Sequence, residues 1–131
     1  MFNRRHLIAS AFAITLSGLA SAVLAADMQA YDVAAFAAAQ KAGKGILVEV
    51  SAPWCPTCQA QKPILSGLFA KPEYKGLVVF EVDFDSRKDV LKQLNVRMQS
   101  TLIVFKGTVE TGRSVGDTDP AAIAALLSKS I

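Results

Sequence analysis

A short apolar run rich in β-branched residues, Ile46–Ala52, is followed within four positions by Pro56 and a long helical pattern. A run of this length and composition reads as a buried strand. Proline suits the first turn of a helix, where its missing N–H has no intrahelical partner to lose. The chain must therefore pass from strand to helix across Pro53-Trp54-Cys55, and its two cysteines, Cys55 and Cys58, both lie at that joint.

The remaining elements follow from spacing and punctuation. Asp32 can cap a helix reaching Ala42, in which Val33, Phe36, Ala37 and Gln40 recur at helical spacing and Gly43 ends the run. The helix opened by Cys55–Pro56 should reach about Ala70, bent at Pro63. Leu77–Phe84 is a second strand, and Ser86 with Asp89 resembles a capping box for a short helix to Leu94. Thr101–Phe105 is a third strand, and Lys106-Gly107 a tight turn into a fourth, Thr108–Val115. Asp119 and Pro120 open a last helix with Ile123, Leu126 and Leu127 on one face. With a short edge strand around Met28–Tyr31, the fold class is α/β: a three-layer sandwich with a mixed four- or five-stranded sheet and helices on both faces. Strands separated by helices favour parallel crossovers, and the last pair must be antiparallel.

Residues 1–26 read as an export signal ahead of one domain, 27–131. Arg4 and Arg5 give a positive start, Leu7–Leu24 carries no charge, and Val23-Leu24-Ala25 offers small residues for cleavage after Ala25 or Ala26. Ser10, Thr15, Ser17, Gly18 and Ser21 dilute the run, which argues against an uncleaved membrane anchor. The paired arginines also suit the twin-arginine route, but the ordinary secretory route is preferred. The mature chain is expected in the periplasm or otherwise exported, as a monomer. With 52% hydrophobic and 19% charged residues, the full sequence is no disordered polyelectrolyte. Setting aside Arg4 and Arg5 leaves 12 of the 14 basic residues against 11 acidic ones, so no basic surface argues for nucleic acid.

At three residues' separation, two cysteines at a helix start can approach closely enough to form a disulfide. Cys55 would stand where unpaired N–H groups and the helix dipole favour an anion, which activates it as a thiolate. Cys58, one turn further, would be more buried. Cys55 can then attack a substrate disulfide and Cys58 resolve the mixed disulfide. Three other uses compete. A structural staple over so short a loop is worth only about 2 kcal/mol on chain entropy. Half a zinc site lacks its partners, since His6 lies in the leader and there is no third cysteine; a two-thiolate copper(I) carrier stays open. An inert buried pair conflicts with an exposed helix-start position beside Trp54. Redox exchange is the best reading, and no metal site is assigned.

The stretch from Ile46 through Trp54-Cys55-Pro56-Thr57-Cys58 to Lys62-Pro63-Ile64-Leu65 resembles the thioredoxin family. The likeness continues through Val82-Asp83-Phe84-Asp85, Thr101–Lys106 and Val115-Gly116, covering nearly all of the mature chain. It implies a thioredoxin fold, thiol–disulfide oxidoreductase activity on protein disulfides, and no dissociable cofactor. Matching positions make Cys55 the nucleophile and Cys58 the resolving thiol. Trp54 becomes a flank of the substrate groove, with Pro56 and Thr57 beside it, and Gly116 matches the glycine that lets substrate backbone approach. Glu49 matches the family's buried acid beneath the second cysteine. A carboxylate is costly to bury ionised, so its pKa should rise and let it exchange a proton with Cys58. The alternative is a Glu49 that points to solvent from a half-exposed strand.

Two departures stand out. Gln99-Ser100-Thr101 occupies the place of the family's residue-Pro-Thr, which normally has a cis peptide and pairs with the substrate backbone. A cis bond before serine costs about 2.5–4 kcal/mol. Gln99–Ser100 is therefore expected to be trans with a reshaped loop, or cis and held by packing. Ser100 is either a hydrogen-bond partner of a cysteine sulfur or a plain loop serine. The second departure is Glu81, where the family often has lysine. It either approaches Glu49 or, as the preferred reading, stays solvated. Only 16 residues separate Phe84 from Thr101, room for one helix and not for the large insertion of periplasmic dithiol oxidases. That favours a reductant, which in an oxidising compartment needs recharging by a membrane-embedded electron donor.

Overall fold

The computed structural model describes residues 26–131. Apart from Ala26, the export-signal reading of residues 1–26 lies outside the described residues. The chain runs β1 (Asp27–Ala30), α1 (Val33–Lys41), β2 (Gly45–Ser51), α2 (Pro56–Phe69), β3 (Val78–Asp83), α3 (Lys88–Gln93), β4 (Thr101–Lys106), β5 (Val109–Val115) and α4 (Pro120–Leu127). Short 3-10 turns follow α2 at Pro72–Tyr74 and α4 at Ser128–Ser130, and the first sends Tyr74 into the core.

The five strands form one sheet in the order β1-β3-β2-β4-β5. β1 and β2 both run parallel to β3, whereas β4 is antiparallel to β2 and β5 antiparallel to β4. The antiparallel β4 departs from the crossover expected after an intervening helix. α3 takes up only six of the 17 residues that join β3 to β4, and the connection does not run back along the sheet. β4 therefore starts at the sheet end where β3 finished, with Thr101 opposite Val50.

Alternation along the strands divides the core in two. Ile46, Val48 and Val50 of β2 face α1 and α3, joining Phe36, Phe80, Val90, Leu91 and Ile103. Leu47 faces the other way, with Leu65, Leu68, Val79, Leu102, Ile123 and Leu127 under α2 and α4. This is the three-layer arrangement expected, with β2 at the centre buried from Ile46 to Val50. Its burial explains why that run carries no surface alternation.

Helix starts mostly follow the sequence signals. Asp32 caps α1 through the Ala35 N–H at 2.8 Å, and Asp119 caps α4 through the Ala122 N–H at 3.0 Å. α2 continues through Pro63 and ends at Phe69. The capping box at Ser86 and Asp89 does not form. Asp83 captures the Asp85 and Ser86 N–H groups, each at 2.9 Å, and the Ser86 hydroxyl at 3.1 Å. Asp89 pairs instead with Arg87, which is the cap residue and provides no side-chain cap. The acid at the end of β3 outcompetes the box because its oxygens are already beside the turn.

Phe36 is the anchor of the α1 side. Its ring centroid lies 5.2 Å from that of Tyr31, 5.6 Å from Phe80 and 5.3 Å from Phe105. Phe36→Ala is expected to lower the unfolding free energy by about 3–5 kcal/mol, read from urea denaturation followed by far-UV circular dichroism.

Candidate active site

The disulfide is built by the β2–α2 joint. The Cys55 N–H donates to the Ala52 carbonyl at 3.2 Å, closing the turn between strand and helix. Cys55 is the N-cap of α2, with extended backbone, and its sulfur accepts a hydrogen bond from the Cys58 N–H at 3.1 Å. An N-cap acceptor satisfies one of the otherwise unpaired donors of the first turn. Here that acceptor is sulfur, so the same N–H and the helix dipole stabilise negative charge on it once the bond is reduced. Cys55 and Cys58 are joined, with their Cα atoms 5.3 Å apart.

One expectation is corrected. Cys55 is only 1% exposed and Cys58 fully buried, so Cys55 does not stand open at the helix start. The capping bond turns its sulfur in over the helix, and Ala52 and Phe84 pack around the pair. Trp54 is the exposed member, at 58%, and its indole N–H donates to Asp85 Oδ2 at 2.8 Å. It stands edge-on to Phe84 with centroids 6.4 Å apart. Pro56 and Gly116 are also exposed, and Thr57 and Gln99 half-buried.

Glu49 points from β2 to the α2 side and is 2% exposed, so the solvent-facing alternative fails. Lys62 of α2 places its Nζ 3.8 Å from Glu49 Oε1, an oxygen with no hydrogen-bond partner. Glu81 is in register with Glu49 across the β2–β3 ladder, and the two carboxylates and Lys62 share the lining of a cavity of about 180 Å³ with Met28, Leu65 and Phe69. Burial pushes the Glu49 carboxyl above its ordinary value of 4.5; Lys62 pulls it back and Glu81 pushes it further up. Glu81 is thus not the isolated solvated acid preferred from the sequence, because strand register brings it beside Glu49.

No peptide bond among the described residues is cis, so Gln99–Ser100 is trans. The loop is reshaped: Ser100 adopts a positive φ of 58°, a left-handed conformation that non-glycine residues rarely take. Its hydroxyl donates to the Gln99 carbonyl at 2.5 Å rather than to a cysteine sulfur. Thr101 is buried, and its hydroxyl donates to the Met98 carbonyl at 2.6 Å. Gly116, at φ 71°, supplies the N–H that meets the Ser100 carbonyl at 3.0 Å. The sequence reading missed Gln61. It is fully buried on α2, and its Nε2 donates to the Ser100 carbonyl at 3.2 Å and the Asp117 carbonyl at 2.9 Å. The available signal was periodicity, since Cys58, Gln61, Leu65 and Leu68 recur on one helical face. Among the described residues no cluster of three or more His, Cys, Asp or Glu side chains is arranged to hold a metal.

The thioredoxin family model matches residues 27–129. The chain belongs to the thioredoxin family. A thioredoxin of Chlamydia trachomatis is 36% identical over 84 residues, 64% of this chain and 80% of its own length. Thioredoxin Asp f 29 of Aspergillus fumigatus is 32% identical over 87 residues, 66% of this chain and 79% of its own length. The crystal structure of Trxlp from Edwardsiella tarda superposes with a TM-score of 0.75 at 44% identity, covering 77% of this chain and 98% of that one. The Malassezia sympodialis thioredoxin, at 17% identity and TM-score 0.71, shares the fold across 98% of both chains.

A thioredoxin-family thiol–disulfide oxidoreductase moves two electrons by two exchanges. A cysteine thiolate attacks a substrate disulfide, forming a mixed disulfide and releasing one substrate thiolate. The second cysteine then attacks the first sulfur, closing the protein disulfide and releasing the other.

The raised Glu49 carboxyl has a consequence for stability. Between pH 4.5 and its folded value the unfolded chain has lost this proton while the folded chain keeps it, so this group lowers stability as pH rises through that window. Glu49→Gln removes the effect. Urea unfolding should show the variant gaining on the parent as pH rises from 4.5 upward, with the difference flat once Glu49 ionises in both states. An unchanged difference across that range would contradict the burial of an ionisable group there.

Proposed function

We propose that the protein is an exported reductant of protein disulfides, acting as a monomer, with Cys55 as nucleophile and Cys58 as resolving thiol. The observation that carries the assignment of roles is the capping bond. Cys55 sulfur, not Cys58 sulfur, receives the first-turn N–H, so negative charge is stabilised on Cys55. Glu49, buried and facing the helix that carries Cys58, is the proton acceptor when Cys58 must attack. A carboxyl held above its ordinary range is poised for that task nearer neutral pH than a solvated one.

The substrate lies across the exposed rim. Trp54, Pro56 and Thr57 flank it on the helix side, and the Gln99–Thr101 segment with Gly116 receives its backbone, Gln99 and Gly116 at the surface and the buried Ser100 and Thr101 behind them. Gly116 is open to solvent and has no side chain to block approach. With Cys55 so little exposed, a substrate reaches the sulfur over this rim rather than from free solution. The reducing direction is supported by the single six-residue helix between β3 and β4, which leaves no inserted helical domain over the site. Export is supported by the uncharged run Leu7–Leu24 and by β1 beginning at Asp27, directly after the expected cleavage point. Sec-type secretion is the favoured route, and a reductant outside the cytoplasm is recharged by a membrane-embedded donor.

Three measurements test this. Cys55→Ser should abolish insulin reduction by at least ~100-fold, whereas Cys58→Ser should accumulate a mixed disulfide with substrate, detectable by mass spectrometry. The Cys55–Cys58 potential, titrated against a thiol–disulfide buffer, should lie at about −270 mV; a value of about −120 mV would make the protein an oxidant.

A further inference from the structure

We propose that Gln61 is a positioning residue for substrate docking, its side-chain amide holding Ser100 in the left-handed conformation from which the Gln99–Thr101 segment receives a substrate. The inference rests on the reading of that segment as the docking strand. It begins with a local problem: Ser100 has φ 58° without the tolerance of a glycine, so its neighbours must impose that shape. The Ser100 hydroxyl bonds only to the preceding carbonyl and supplies no tie to the rest of the protein. The long-range ties are made by the Ser100 carbonyl, which accepts the Gly116 N–H and the Gln61 amide.

Gln61 does more than cap one carbonyl. Its other N–H reaches Asp117, so one side chain on α2 joins the loop before β4 to the turn after β5. Both loops sit where β2 ends, since Thr101 pairs with Val50 and also with Val115. The amide orientation is fixed by its surroundings. Rotating it by half a turn would set its oxygen against two carbonyl oxygens. The geometry leaves Oε1 buried with no partner. A buried amide with an unpaired oxygen is a poor source of stability, and an apolar side chain of similar shape would serve packing as well. The two donated bonds are what Gln61 supplies that a leucine or methionine would not. They lie three residues from Cys58, so the helix that carries the resolving sulfur also sets the docking loop.

Gln61→Met keeps an unbranched side chain of similar length and removes both donors. The expected result is a KM for insulin raised about tenfold, with kcat and the rate toward a small aromatic disulfide lacking peptide groups each within about twofold of the parent. Adding Ser100→Gly, which accepts a positive φ without strain, should recover at least about threefold of the lost KM. Equal losses on both substrates, an unchanged KM, or no recovery with glycine would each overturn the proposal. If the parent protein reduces neither substrate, the proposed function fails instead, and the clamp is read from amide exchange. The Gly116 N–H, bonded to Ser100, should then exchange about tenfold faster in Gln61→Met, and an unchanged rate would overturn it.

Discussion

A sulfur serving as the N-cap of a helix is the constraint on which the site depends. The cap position is forced from two sides. β2 is buried on both faces and cannot continue past Ser51 without carrying Pro53 and Trp54 into the core, and Pro56 starts α2 at once. What lies between must turn tightly and satisfy the first-turn N–H groups. Most helices assign that work to an oxygen. Giving it to Cys55 makes the same contact structural in the oxidised protein and electrostatic in the reduced one, and it buries the sulfur as a consequence.

The β2–α2 joint was legible in the sequence because every signal there is local: an apolar run, a proline at the helix start and two cysteines one turn apart. The caps at Asp32 and Asp119 were legible for the same reason. The features that escaped are those in which a distant group wins a competition. Ser86 had the spacing of a cap, but Asp83 claimed it from the end of the preceding strand. Glu81 read as solvated because its neighbour Glu49 is 32 positions away in the chain and adjacent only through register. The antiparallel direction of β4 depends on the end of the sheet at which the chain re-enters, with Thr101 opposite Val50, a contact 51 positions apart in the sequence. Gln61 was the hardest case, since its carbonyl partners are 39 and 56 residues away and a polar residue on a helix reads first as surface.

Around Glu49 the charges are distributed unusually for a buried acid. Its cation comes from the helix above it, while the neighbouring strand supplies a second carboxylate. Lys62 is partly exposed, so its attraction acts through the mouth of the small cavity and is weakened by water, whereas the desolvation of Glu49 is not. Burial therefore governs the protonation of this group, and the flanking charges adjust it.

Cys58, Gln61 and Lys62 fall within little more than one turn of α2. One short piece of helix thus presents the second sulfur, the tie to the Ser100 loop and the counter-charge of Glu49. Grafting the four residues Cys55–Cys58 onto another scaffold would transplant the reactive bond without its surroundings. The smallest portable unit runs from Glu49 to Pro63 and must bring compatible residues at 81, 100 and 117, so chimeras cut inside that helix would inherit a mismatched half of each contact.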